Sequence, residues 1–176
     1  YKRQVTESLS VDTPCGMTNN VMWQQAVKGQ ASMQNIDQVR NFLGGADVVG
    51  TPQTELDFVP IIRAGFPFSV FIALRDHAKL SEDMICSSLH IAKRTAARRK
   101  KDATRLKPVE SELLFRLARV LVTAAEVLGS EERAREWVIA SNRALGGALP
   151  IQLLDTGLGF QEVLDVLTRI EFGVHS

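Results

Sequence analysis

Residues 81–101 read Ser81-Glu82-Asp83-Met84-Ile85-Cys86-Ser87-Ser88-Leu89-His90-Ile91-Ala92-Lys93-Arg94-Thr95-Ala96-Ala97-Arg98-Arg99-Lys100-Lys101. Ser81 carries a short hydroxyl suited to accept a hydrogen bond from a first-turn N–H. Glu82 and Asp83 place negative charge where a helix dipole favours it, so a helix is expected to start here. Ile85 and Leu89, at i and i+4, give that short helix one apolar edge. A second helix is expected from about Ala92. A short helix, a turn of three or four residues and a second helix form a helix-turn-helix outline, which lays the second helix in the major groove of DNA.

The second helix carries the charge. At about 100° per residue, Arg94, Arg98, Lys101 and Arg105 fall within a stripe about 60° wide. Ala92, Ala96 and Ala103 lie opposite, as a small-residue strip for close packing, and Arg99 and Lys100 flank the two faces. Like charges at i, i+4 each cost a helix a few tenths of a kcal/mol, so such a stripe calls for a polyanion. Phosphates supply one, with an affinity steeply dependent on salt. The residues expected to contact DNA are Lys93, Arg94, Thr95, Arg98, Arg99, Lys101 and Arg105. A solvated basic face is the alternative. Ala92, where a Ser, Thr or Asn cap is usual, favours phosphate binding over sequence-specific reading.

Working outward, Phe68, Phe71, Ile72 and Ala78 mark a helix from Pro67 to about Lys79. Downstream, Pro108 opens a long helix whose apolar face is Leu113, Leu114, Leu117, Val120, Leu121, Ala124 and Leu128. Gly129 stops it. Ser130-Glu131-Glu132 starts another helix, which includes Trp137 and Val138. A short helix from Pro150 to about Leu154 and a last one carrying Val163, Leu164, Leu167 and Ile170 complete the chain. No run alternates with period two, so the fold class is all-α. Upstream, Val21 to Leu43 fits one or two short helices ended by Gly44-Gly45, an extension packed on the body or on a partner.

The chain has 176 residues, 45% of them hydrophobic, a composition suited to one sizeable core or two small ones. Its net charge of +1 conceals an uneven distribution: −1 over residues 1–55, +6 over 56–107 and −4 over 108–176. Those three segments are the expected organisation: an extension, a helix-turn-helix domain and a second helical domain. A basic middle and an acidic end suggest two different partners. No run approaches the roughly 20 apolar residues of a membrane span, and no secretory leader is expected. Cys15 and Cys86 suit free thiols in a reducing cytoplasm.

The stretch Asn142-Arg143-Ala144-Leu145-Gly146-Gly147-Ala148-Leu149-Pro150-Ile151-Gln152-Leu153-Leu154-Asp155-Thr156, with Gly159 and the closing Arg169-Ile170-Glu171-Phe172-Gly173-Val174, carries a second signal. Each residue has a structural use: glycines for positive φ or close approach, Pro150 for a first turn, Asp155 or Thr156 for a cap. Together they resemble the toxin-binding domain of the Xre/MbcA/ParS antitoxin family. Trp137, the helix from Pro108 and the basic helix upstream fit the same pattern, over about residues 56–176. The resemblance implies an Xre-type helix-turn-helix followed by a toxin-binding domain. It also implies a partner of the RES type, a toxin that uses or degrades NAD, by ADP-ribosyl transfer or breakdown. Neutralisation would be by occlusion of the toxin's cleft, with Arg169, Glu171, Phe172, Gly173, Val174, His175 and Ser176 as the toxin-binding residues. Repression of the chain's own operon through operator DNA is implied as well. A frayed terminus with Arg169 in solvent is the alternative reading of that tail.

Catalysis has no support in the residues. His77, His90 and His175 are not spaced as ligands or as a catalytic pair, the two cysteines form no CxxC, and neither a phosphate-cradling GxxxxGK[ST] nor a GxSxG elbow is present. No catalytic residue, metal site or cofactor is expected. Three readings stand: an antitoxin and autorepressor, a helix-turn-helix transcription regulator without a toxin partner, and a protein-binding adaptor. DNA readers of this type usually act as homodimers on two half-sites, so a homodimer is expected.

Overall fold

Pro108 sets the first turn of the helix around which everything else is arranged. The structure, a computed structural model, describes residues 35–173. Among these residues there is no strand, in keeping with an all-α fold. Helical residues 35–42 form α1, followed by α2 (Ala46–Val49), a 3-10 turn (Glu55–Asp57), α3 (Phe58–Ala64), α4 (Phe68–Ala78), α5 (Glu82–Ser88) and α6 (Lys93–Asp102). The long α7 (Pro108–Leu128), α8 (Glu131–Ile139), two further 3-10 turns (Arg143–Leu145 and Pro150–Leu153) and α9 (Gly157–Glu171) complete the order.

α7 is buried on more than the one face expected. Besides Leu113, Leu114, Leu117, Val120, Leu121 and Ala124, it buries Phe115, Ala118 and Val122, because α3 and α4 cover one side while α8 and α9 cover another. A helix apolar around most of its circumference belongs at the centre of a fold, not at its surface. One continuous core results, running from Ile36 and Val39 through Phe58, Phe71 and Leu114 to Val163 and Leu167.

α1 joins that core through Ile36, Val39 and Phe42, with Leu43 just after it, and the Phe42 ring meets the His77 ring edge-on at 4.6 Å. The expected packing of the extension on the body therefore holds for residues 36–49. The part of it expected over Val21 to residue 34 lies outside the described residues, as does Cys15.

α3 was not anticipated. Its apolar residues Phe58, Ile61 and Ile62 are too few to establish a period, and Pro60 reads as a breaker when it stands in a first turn. Thr54 and Asp57 form a capping box ahead of it, with Asp57 Oδ2 accepting from the N–H groups of Gln53 and Thr54 at 2.9 Å each. Those two donors hold the Asp57 carboxyl below its ordinary value.

The cap residues act as expected at three helix starts. Ser81 Oγ accepts from Met84 N, Ser130 Oγ from Arg133 N, and Thr156 Oγ1 from Gly159 N. At the last start, glycine is required. A Cβ built on Gly159 would lie 2.1 Å from the carbonyl oxygen of Leu153, so nothing larger fits between the Pro150–Leu153 turn and α9. Gly159→Ala is expected to destabilise the fold by more than about 1 kcal/mol and to lower Tm by several degrees, read by calorimetry. An unchanged Tm would mean that this turn moves aside without cost.

Candidate nucleic-acid interface and partner-binding surface

α5 and α6 are joined by Leu89-His90-Ile91-Ala92. Leu89 and Ile91 are buried, and His90 turns the chain with a φ of 52°. A left-handed residue is what a tight helix-turn-helix corner needs, a place often held by Gly. Lys93 Nζ reaches Asp83 Oδ2 at 2.7 Å across the corner. Both groups are mostly exposed, so this pair contributes little stability.

On α6, Lys93, Arg94, Arg98 and Lys101 are exposed, as is Lys100, and Thr95 is half-buried. Among the described residues none forms an ion pair with Arg94, Arg98 or Lys101. These three make one outward-facing cationic row whose mutual repulsion no neighbouring carboxylate offsets.

Arg99 and Arg105 do not belong to that row. Arg99 is only 8% exposed and is paired through Nη1 with Glu110 Oε2 in the first turn of α7. That carboxylate oxygen also accepts from Lys107 N at 2.7 Å, so one group holds α6 and caps α7. Arg99 thus leaves the set expected to touch DNA, because the core side of α6 claims it. Arg105 lies past the helix end. Ala103 takes a left-handed conformation, with φ 49°, so that Leu106 can enter the core and its N–H can donate to Phe66 O at 2.8 Å. Arg105 Nε then donates to Gly65 O at 2.7 Å. The expected alanine strip is likewise reduced to Ala96, which is fully buried, while Ala92 and Ala103 are exposed helix ends.

The second candidate surface is built on α9, which α7 holds by two arginines. The Arg116 and Arg119 guanidinium groups lie 5.6 and 5.5 Å from the Phe160 ring centroid, within cation–π range. Arg116 Nη1 donates to Leu154 O at 3.1 Å, and Arg119 pairs with Glu55 at 2.9 Å. The turn before α9 also touches the helix-turn-helix corner, where His90 Nε2 lies 3.5 Å from Asp155 Oδ2. Sequence reading missed these ties, since each joins residues far apart in the chain.

Of the expected toxin-binding residues, Arg169 is half-buried on the last turn of α9, with Nε 3.4 Å from Asp165 O. Glu171 ends the helix, and Phe172 and Gly173 are exposed beyond it. Glu126 on α7 has its carboxyl raised by burial. The Asn35 amide, donating at 3.2 Å, opposes that rise, and the Glu171 charge adds to it. Val174, His175 and Ser176 lie outside the described residues. Among the described residues, no helix is long and apolar enough to cross a membrane, and no group of three His, Cys, Asp or Glu side chains could hold a metal ion. Cys86 is a buried thiol in α5, raised in pKa by burial and by Glu82 and Asp83.

Comparison with known proteins places both halves. The antitoxin Xre-like helix-turn-helix domain matches residues 57–119, and the antitoxin Xre/MbcA/ParS C-terminal toxin-binding domain matches residues 123–173. The chain is 32% identical to an "Antitoxin Xre" of Yersinia enterocolitica over 119 residues, which cover 67% of this chain and 80% of that one. The chain belongs to the Xre antitoxin family. A second relative, an "Antitoxin Xre" of Photorhabdus laumondii, is 26% identical over 117 residues, 66% of this chain and 79% of its own. For an Xre antitoxin the helix-turn-helix implies a DNA partner, and the toxin-binding domain implies a toxin. The two matched ranges meet inside α7, which runs unbroken through residues 120–122.

Proposed function

We propose that this Xre-family chain silences a RES-domain toxin that uses NAD, and represses its own operon through the cationic row of α6. The observation that carries the proposal is the coexistence, on one continuous core, of an Arg94–Arg98–Lys101 row in a helix-turn-helix, unpaired among the described residues, and a matched toxin-binding domain whose last described residues, Glu171, Phe172 and Gly173, are exposed. The proposed division of labour gives phosphate contacts to Lys93, Arg94, Thr95, Arg98 and Lys101. Arg169, Glu171, Phe172 and Gly173, followed by Val174, His175 and Ser176, go to the toxin's NAD cleft.

The chemistry supports that assignment. Phe172 is 73% exposed, a large apolar side chain left mostly uncovered by the described residues. Arg169 supplies a guanidinium that can pair with carboxylates at the mouth of a cleft, where a desolvated bidentate pair makes a candidate hot spot. The chain itself is proposed to be non-catalytic, to act in the cytoplasm where both partners are reached, and to bind its operator as a homodimer.

The test is co-expression with the adjacent gene, reading NAD consumption and cell survival. The full-length chain is expected to hold NAD consumption down. A chain ending at Ile170 should lose rescue while keeping operator binding. Undiminished rescue by the shortened chain would remove the terminal segment from the mechanism, and failure of the full chain to rescue would leave the transcription-regulator reading in its place.

A further inference from the structure

We infer that the loop after α6 holds a second phosphate-binding site, built on Arg105 and flanked by Arg63 and Lys107; this rests on the DNA-binding reading above. The site is separate from the outward row, because α6 has ended before it begins. Residues 104–107 link α6 to α7, and the side chain of Leu106 turns into the core. Arg105 and Lys107, on either side of it, are exposed. Arg63 is exposed on the last turn of α3, two residues before Gly65. Among the described residues, no carboxylate pairs with any of the three.

Arg105 is already held in place. Its Nε donates to Gly65 O at 2.7 Å, a neutral acceptor that leaves the guanidinium charge uncompensated. The base beneath is firm, since Leu106 N donates to Phe66 O and Phe66 N to the buried Ser111 Oγ, each at 2.8 Å. Only glycine serves at position 65, where φ is 79° and a Cβ would lie 2.2 Å from Leu106 O. One donor of the fork is spent on fixing the side chain, which leaves Nη1 and Nη2 to bind a ligand. The rotamer freedom a surface arginine loses on binding is thus largely lost beforehand.

Position and charge identify the ligand. A recognition helix puts its N-terminal residues at the bases. The ten residues of α6 span about 15 Å, more than the groove width of about 12 Å, so its far end comes out at a wall of phosphates. The negative end of the helix dipole would repel that wall, and the exposed Asp102 would add to the repulsion. Cations must therefore prevail at this end. Over residues 93–107 there are eight Lys and Arg, and Asp102 is the only carboxylate. A guanidinium with two free nitrogens matches two phosphate oxygens. Phosphate contacts set register and orientation without reading sequence, so Arg105 is a positioning residue for α6.

Gel-shift of the full-length chain alone, on a duplex from its own promoter and on a random duplex of equal length, tests this across a salt series. Arg105→Ala is expected to bind about fivefold more weakly at about 0.15 M salt, with the salt slope reduced by about 0.9 on both duplexes. Arg105→Lys should restore the slope, because the charge returns. Arg143→Ala, an exposed arginine of the C-terminal domain, should leave the slope unchanged. A lower Tm for Arg105→Ala with an unaltered slope overturns the site, by giving Arg105 a structural role only. An equal fall in Arg143→Ala also overturns it, as an effect of net charge. Should the Arg94, Arg98 and Lys101 variant flatten the slope while Arg105→Ala does not, the second site fails and the DNA-binding reading stands. No binding of either duplex by the unmodified chain overturns both.

Discussion

Replacing Arg94, Arg98 and Lys101 together with Ala is expected to weaken operator binding about 100-fold at about 0.15 M salt and to reduce the salt slope by about 3. The figures follow from counterion release. Each phosphate neutralised contributes about 0.9 to the slope of log affinity against log salt, and three such contacts at that ionic strength amount to about two orders of magnitude. The structure makes the experiment clean. All three side chains are exposed and lack ion-pair partners among the described residues, so no packing is lost. Removing the i, i+4 repulsion between Arg94 and Arg98 should hold Tm level or raise it slightly. A gel-shift series in increasing salt decides the matter: a slope that does not change places the DNA surface elsewhere.

Glu110→Ala is expected to have the largest effect on stability of any single charge removal. Arg99 would be left buried without its partner, and breaking a buried pair on one side costs about 3–5 kcal/mol. For a chain of this size, roughly 2–4 °C per kcal/mol gives a fall in Tm on the order of 10 °C. The same carboxylate caps α7 by accepting from Lys107 N, so α6 and the start of α7 should loosen together. Operator binding should weaken as well, although Glu110 faces away from the cationic row. Glu110→Gln keeps an acceptor of the same shape and should lose less. Removing both charges, with Arg99→Met and Glu110→Met, should recover much of the loss, because no buried charge is then orphaned. Thermal denaturation of the three variants checks this, and equal Tm values for Glu110→Ala and the unmodified chain would show that Arg99 finds solvent or another partner at no cost.

Local chemistry made much of the fold legible. Ser81, Ser130 and Thr156 marked helix starts because a cap is read within four residues, and Pro108 and Gly129 bracketed α7 for the same reason. α3 was illegible because a single buried pair, Phe58 and Ile62, shows no period, and its place is set by the Phe115 ring 4.8 Å away, 57 positions along the chain.

The candidate site was legible in part. Positive charge alone cannot say which arginines of a basic helix face outward. Arg99 lies on the wheel beside Ala96, and the carboxylate that draws it inward is 11 residues downstream, past a bend the helical period does not foresee. Arg105 fell outside the stripe once Ala103 ended the helix.

The seam between the two matched domains falls within one stretch of hydrogen-bonded backbone, where chains of two modules commonly have a flexible tether. A tether would let a DNA-bound head and a toxin-bound tail wander independently, and each would search for its partner at its own effective concentration. A strut of 21 helical residues allows no such wandering. Wherever the basic row settles on a duplex, the direction in which a bound toxin projects is already decided, and if two chains bind adjacent half-sites, as proposed, they must hold their toxins at a fixed separation and angle. Crowding or contact between those cargoes is then a matter of operator spacing, to be altered one base pair at a time.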